Sequence, residues 1–188
     1  MQRDSQKEDS TKSLERRLRV LEDKQAIHDV LMRYCRGVDR GVPDLILSAF
    51  HADAVDNHFG VALPFREAVW TIKHPLGGPM QSHNICNELV EICGDVANGE
   101  TYFLMITRLE HDAKQIDWML NGRYIDRFER REGEWRIAKR TVVYDTERFD
   151  EVEPAPQNFR PAAFTAKAVR GARGAADFSS QVLGKPDR

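Results

Sequence analysis

The sequence predicts an α+β fold, with helices packed on one face of a curved antiparallel sheet. Three observations carry this. A long apolar stripe at helical spacing opens the chain, with Leu14, Leu18 and Leu21, then Ile27, Leu31, Tyr34, Cys35 and Val38. Four alternating apolar segments follow from His83 onward, separated by short turn signals. Segments joined so tightly must pair antiparallel, and helices first with a meander after is the α+β order.

Residues 1–13 are polar and charged without apolar periodicity, and read as a disordered N-terminal tail. Ser13 is suited to cap the first helix, and the spacings of three and four that follow define one amphipathic face. Its early part, with Glu15, Arg16, Arg17, Glu22, Asp23 and Lys24, is too charged to be buried all round and suits packing on another subunit. Gly41 ends the helix and Pro43 starts a short second one, with Leu45, Ile46 and Phe50 inward. Residues 52–59 read as a strand, residues 65–73 as a short helix carrying Ala68, Val69 and Trp70, and residues 75–79 as a loop. The meander consists of four strands: residues 83–92 up to a Gly94 and Asp95 turn, residues 101–109, residues 116–128, and residues 135–144 after a Glu132 and Gly133 turn. The central domain covers residues 14–150, and residues 151–188 form a tail rich in proline, glycine and alanine, with Phe159, Phe164 and Phe178 as spaced anchors. That tail is either floppy or strapped across the domain or a neighbouring subunit.

Composition excludes several classes. The 188 residues suit one domain with tails, and a hydrophobic fraction of 41% supports a real core. A net charge of −2 offers no basic field to nucleic acid. Three cysteines without a CxxC pair suit reduced thiols in a cytoplasmic protein, and no apolar run approaches the roughly 20 residues that span a bilayer. No GxGxxG, P-loop, GxSxG or HExxH pattern is present, so neither nucleotide binding, serine hydrolysis nor a zinc protease site is indicated. His51, Asp53, Asp56 and His58 cluster in sequence, but their spacings do not put them on one strand face, so no metal site is predicted.

The candidate chemistry begins where the first helix stops. Asp39 sits near the helix C-terminus, facing the negative end of the macrodipole at a cost of roughly 0.3–1 kcal/mol. Either Arg36 and Arg40 neutralise it in solvent, or a site needs that carboxylate. His83 shares strand parity with Ile85, Asn87 and Leu89, and Arg140 shares parity with Ala138, Val142 and Tyr144. Both enter mostly apolar faces, where an arginine needs a partner. The functional reading puts Asp39, His83, Tyr34 and Arg140 around one cavity. A carboxylate on one imidazole nitrogen fixes the tautomer and leaves the other as base. Tyr34 then donates to a carbonyl or leaving hydroxyl, and Arg140 holds a carboxylate or a developing enolate. The competing reading makes His83 a core histidine, Tyr34 a packing residue and Asp39 a surface ion pair. Tyr34 and Asp39 lie about 140° apart around an ideal helix, so both face one cavity only if it wraps the helix end or the last turn unwinds at Gly37. Cys35 lies one turn from Asp39, and an adjacent acid disfavours a thiolate, so it reads as packing. Phe50, Phe59, Trp70, Trp118 and Tyr124 supply an aromatic lining for a hydrophobic substrate.

Several segments together resemble the SnoaL-like branch of the NTF2-like superfamily: Leu21 to Ile27 leading into Tyr34 and Asp39, then Phe50, His51, Ala52, Asp53 and Ala54, then His83, Asn84 and Ile85 with Gly94 to Ala97, and Trp135, Arg136 and Ile137 with Arg140. The resemblance covers about residues 14–147. It implies a cone-shaped α+β barrel, a strongly curved antiparallel sheet wrapped around the N-terminal helices, with a deep apolar pocket. It also implies a cofactor-independent lyase of the scytalone dehydratase and bile acid 7α-dehydratase type, acting on a small hydrophobic substrate and assembled as a homo-oligomer, with a trimer favoured. Carried over by position, Asp39 and His83 are the acid–base pair, Tyr34 matches the tyrosine of the bile acid enzyme, and Arg140 matches the arginine near the end of the last strand. The related dehydrochlorinase has lysine where Tyr34 stands, which favours loss of water over loss of halide. A ketosteroid-type isomerase on the same pocket, or a non-enzymatic binding or assembly module, are the alternatives.

Overall fold

The computed structural model describes residues 2–58, 60–67, 78–153 and 167–183. Two helices, α1 (Gln2–Arg40) and α2 (Pro43–Ala49), precede six strands. These are β1 (Phe50–His58), β2 (Val61–Pro64), β3 (Gln81–Cys93), β4 (Val96–His111), β5 (Lys114–Arg131) and β6 (Glu134–Glu151). A 3-10 turn (Gly174–Ala176) and a short helix α3 (Ser179–Val182) lie in the C-terminal tail. Residues 65–67 are helical; the rest of the helix predicted there, Trp70 included, lies outside the described residues, as do Phe59, Phe159 and Phe164.

α1 buries Ile27, Leu31, Tyr34, Cys35 and Val38, the later half of the predicted stripe, and Val30 beside them. Its earlier half behaves differently. Every residue from Ser10 to Glu22 is exposed, Leu14, Leu18 and Leu21 among them, and burial begins at Asp23. The helix also runs back to Gln2, through the segment read from the sequence as a polar tail. The glutamine, lysine, glutamate and arginine of that segment are good helix formers even without an apolar face. Among the described residues, no helix is long and apolar enough to cross a membrane.

The strand order is β2-β1-β6-β5-β4-β3. β3 to β6 form the predicted antiparallel meander. Its turns include Asp112 with Ala113 and Glu132 with Gly133, each with positive φ at both central positions, the geometry that matches strand twist. The wholly antiparallel sheet is corrected at one seam: β1 runs parallel to β6. No tight turn joins that pair. β1 follows α2 and reaches β6 only after the rest of the meander has been laid down, so local turn chemistry does not dictate its direction. The curved sheet stays open, with β2 and β3 at its edges, and α1 packs against both β3 and β6.

Two bulges correct the parity read from sequence. In β3 the register shifts between Ile85 and Glu88, so Val90 turns inward and Leu89 is 63% exposed. In β6 one of two shifts falls at Ala138, so Trp135, Ile137, Arg140 and Val142 are all buried. An extra residue in one strand reverses every side chain beyond it.

Gly122 on β5 marks a close approach. A Cβ there would lie 2.5 Å from the Val143 carbonyl oxygen and 2.7 Å from Cζ of Phe103. The missing side chain leaves room for the edge of the Phe103 ring. Gly122→Ala is expected to lower unfolding stability by about 1–3 kcal/mol in urea titrations, the cost of forcing extra volume into a packed site.

Candidate active site

α1 ends in a left-handed glycine motif. Gly41 takes φ 64°, and the amide of Val42 donates to the carbonyl of Gly37 at 2.8 Å. The helix is continuous through Gly37, so the last turn does not unwind. Asp39 therefore projects from the final turn, beside edge strand β3. An edge strand has unpaired amides. The Asp39 carboxylate takes up one: Oδ2 accepts from the amide of His83 at 2.9 Å. Its other oxygen, Oδ1, meets Nδ1 of the same residue at 2.6 Å. Both side chains are 11% exposed. A carboxylate can only accept here, so Nδ1 carries a proton, and in the neutral ring Nε2 is left with its lone pair. The aspartate thus fixes backbone and ring of one histidine together.

From His83 an aromatic wall runs inward. Its ring lies 6.1 Å from that of Phe103, which stacks on Tyr124 at 4.4 Å. Tyr124 meets Tyr34 edge-on at 5.8 Å, and Tyr34 meets Phe50 at 5.7 Å. Tyr34 and Asp39, on different faces of α1, both reach the sheet because it curls around the helix.

Arg140 lies beneath this wall, wholly buried, with its guanidinium carbon 3.9 Å from the Tyr124 centroid and 4.3 Å from that of Tyr34. It donates Nε and Nη2 to the two carboxylate oxygens of Asp126 at 2.8 and 2.7 Å. Burial pulls the arginine's pKa down, but attraction to Asp126 more than offsets it, so the net direction is up. Burial pushes the carboxyl of Asp126 up against the pull of Arg140. Burial also pushes the Tyr34 phenol well above its ordinary range, with Arg140 drawing it part of the way back. Tyr34 is therefore a neutral hydroxyl at physiological pH.

Of the predicted site residues, His83 and Asp39 are joined directly, Tyr34 and Tyr124 form the wall, and Phe50 extends it. Trp118 lies apart, stacked on Phe149 at 5.7 Å. Sequence reading missed Asp126, although it shares β5 parity with Tyr124 and Phe128, where a charge demands a partner. Asp56 was also missed as part of this site. It is fully buried, opposite Arg140 on β1, and Nδ1 of His58 lies 2.8 Å from its Oδ2. The neighbouring residues of the sequence cluster go elsewhere, His51 to the Glu129 carbonyl and Asp53 to Arg131.

The chain matches the model of the SnoaL-like domain over residues 19–141, and it belongs to that family. No curated protein matches it at a significant level. Among solved structures it is similar to a candidate scytalone dehydratase from Novosphingobium aromaticivorans, with 21% identity, a TM-score of 0.62, and coverage of 75% of this chain and 96% of that one. It is equally similar in shape to a hexachlorocyclohexane dehydrochlorinase from Novosphingobium barchaimii, at 22% identity, TM-score 0.62, and coverage of 77% and 98%. A protein of unknown function from Mycobacterium tuberculosis matches at 23% identity, TM-score 0.56, and coverage of 66% and 77%. The fold is thus the NTF2-like cone, shared by small-molecule lyases and by proteins without a described activity.

Two measurements check this geometry. Asp126→Ala strands a buried guanidinium and is expected to cost about 3–5 kcal/mol in denaturant unfolding. Burial pushes the Cys35 thiol up to about 12, whereas Cys86 and Cys93 are exposed. A thiol reagent should therefore titrate two cysteines in the native protein, and the third only after unfolding.

Proposed function

We propose that the protein is a cofactor-independent dehydratase. The observation that carries this reading is the pair of hydrogen bonds that His83 donates to Asp39, from its amide and from Nδ1, which commits one imidazole nitrogen and frees the other. In the proposed reaction Nε2 of His83 removes a proton from carbon alpha to a carbonyl of the substrate. The C–H electrons form a C=C bond as the C–O bond to the neighbouring hydroxyl breaks. The proton on Nε2 passes to the departing hydroxide, which leaves as water, and the base is restored. Asp39 holds the tautomer and stabilises the imidazolium between the two transfers. Tyr34, kept neutral by burial, is the hydroxyl donor toward developing oxygen charge. Arg140, engaged by Asp126, acts through the Tyr34 phenol and not on the substrate itself.

The aromatic wall of Phe103, Tyr124, Tyr34 and Phe50 supports a hydrophobic, polycyclic or terpenoid-like hydroxy compound as substrate. The exposed Leu14, Leu18 and Leu21 support a homo-oligomer, for which we favour a trimer, and we place the protein in the cytoplasm. The hydrogen-bonded dyad is what favours an enzyme over a binding or assembly module.

The test is a panel of hydroxylated steroids and polyketides followed by mass spectrometry. A responsive substrate should give a product lighter by one water, and His83→Ala and Asp39→Asn should each slow turnover by about 10²–10⁴. A product of unchanged mass would mean an isomerase on the same pocket. Variants as fast as the parent would overturn the mechanism.

A further inference from the structure

The dyad joins two segments far apart in sequence. A contact from a third segment spans both. Arg173, in the C-terminal tail beyond the stretch matched by the family, donates Nη1 to the carbonyl of Asp39 at 3.1 Å and to the carbonyl of Pro79 at 3.2 Å. Its Nη2 donates to the carbonyl of Val38 at 3.1 Å. Val38 and Asp39 are in the last turn of α1, where carbonyls lack helical partners and carry the negative end of the dipole. Pro79 lies just before β3, the strand that begins at Gln81 and carries His83. Gln81 itself donates to the same Val38 carbonyl at 3.2 Å. One guanidinium therefore bridges the main chain of the acid and the lead-in to the base.

We infer that Arg173 is a positioning residue for the His83–Asp39 pair, tying the main chain of Asp39 to the segment that leads into His83. The inference rests on the dyad reading above and adds the tail to the site. Two features prepare Arg173 for this. Its loop is held by Asp177, whose carboxylate accepts from the amides of Ala172 and Ser179, each at 3.0 Å, and from the Ser179 hydroxyl. The tail is also tied to α1 at a second point, where Nη1 of Arg36 donates to the Ser179 hydroxyl at 3.3 Å. The cation sits where Asp39 and the helix dipole both place negative charge, so it offsets the penalty of an acid at a helix C-terminus. A lysine supplies the charge but cannot span three carbonyls from one planar group.

The readout is the Nδ1 proton of His83 in imidazole ¹⁵N–¹H spectra of the full-length protein, assigned by its loss in His83→Gln. In the parent this proton should exchange slowly, and in Asp39→Asn its protection should fall. Arg173→Ala should speed its exchange at least tenfold, and Arg173→Lys should recover part of the difference. Asp177→Asn, which loosens the loop and leaves the Arg173 guanidinium intact, should shift exchange in the same direction. Arg36→Ala breaks the second tie and spares the carbonyls, so it should leave exchange within twofold of the parent. Exchange in Arg173→Ala within twofold of the parent overturns the inference, and so does acceleration by Arg36→Ala equal to that by Arg173→Ala, which would mean general loosening of the tail. A parent without a protected Nδ1 proton would sink the dyad itself, a result distinct from either.

Discussion

A fully buried arginine is the constraint around which this interior is arranged. Arg140 sits on a strand in the middle of the sheet, out of reach of water, and an isolated charge there is untenable. Asp126 answers it from the next strand with two parallel hydrogen bonds, and the faces of Tyr34 and Tyr124 close over the guanidinium. The two tyrosines are thereby oriented, and Phe50 and Phe103 pack against them in turn. A purely apolar core of the same volume would be no less stable, but it would not hold a phenol in one place.

The second organising feature is the junction between a helix end and a sheet edge. Both are places where backbone groups lack partners, and here each supplies what the other needs. β3 offers an amide to the Asp39 carboxylate, while Gln81 and the tail's Arg173 satisfy carbonyls of the last turn of α1. The outcome is a carboxylate held by hydrogen bonds close to the surface yet shielded from it, with an imidazole fixed against it. The tail docks through these polar contacts; Phe178, expected as an apolar anchor, is exposed.

The errors of sequence reading are informative. The helical stripe was correct in period, but period alone does not say whether a face has a partner; Leu14, Leu18 and Leu21 have the right spacing and lie in solvent within this chain. Strand parity placed His83 and Arg140 on inner faces, yet both strands contain a bulge that alternation cannot reveal, since an inserted residue leaves no mark on composition. The parallel β1–β6 seam was invisible for a related reason: its partners are some 80 residues apart, and no turn encodes their direction.

The residue pattern alone determined the class of the fold, the meander and two of its turns, the point where α1 stops, and the short roster from which the site is drawn. Those features depend on spacing and on local backbone preference, which a linear string carries. Tertiary structure alone decided which of these residues meet: that Asp39 bonds to ring and amide of one histidine, that Arg140 is taken by Asp126, and that the tail's arginine bridges both halves of the pair. Such pairings depend on how strongly the sheet curls around the helix, a sum of many small twists and several bulges that no single residue encodes.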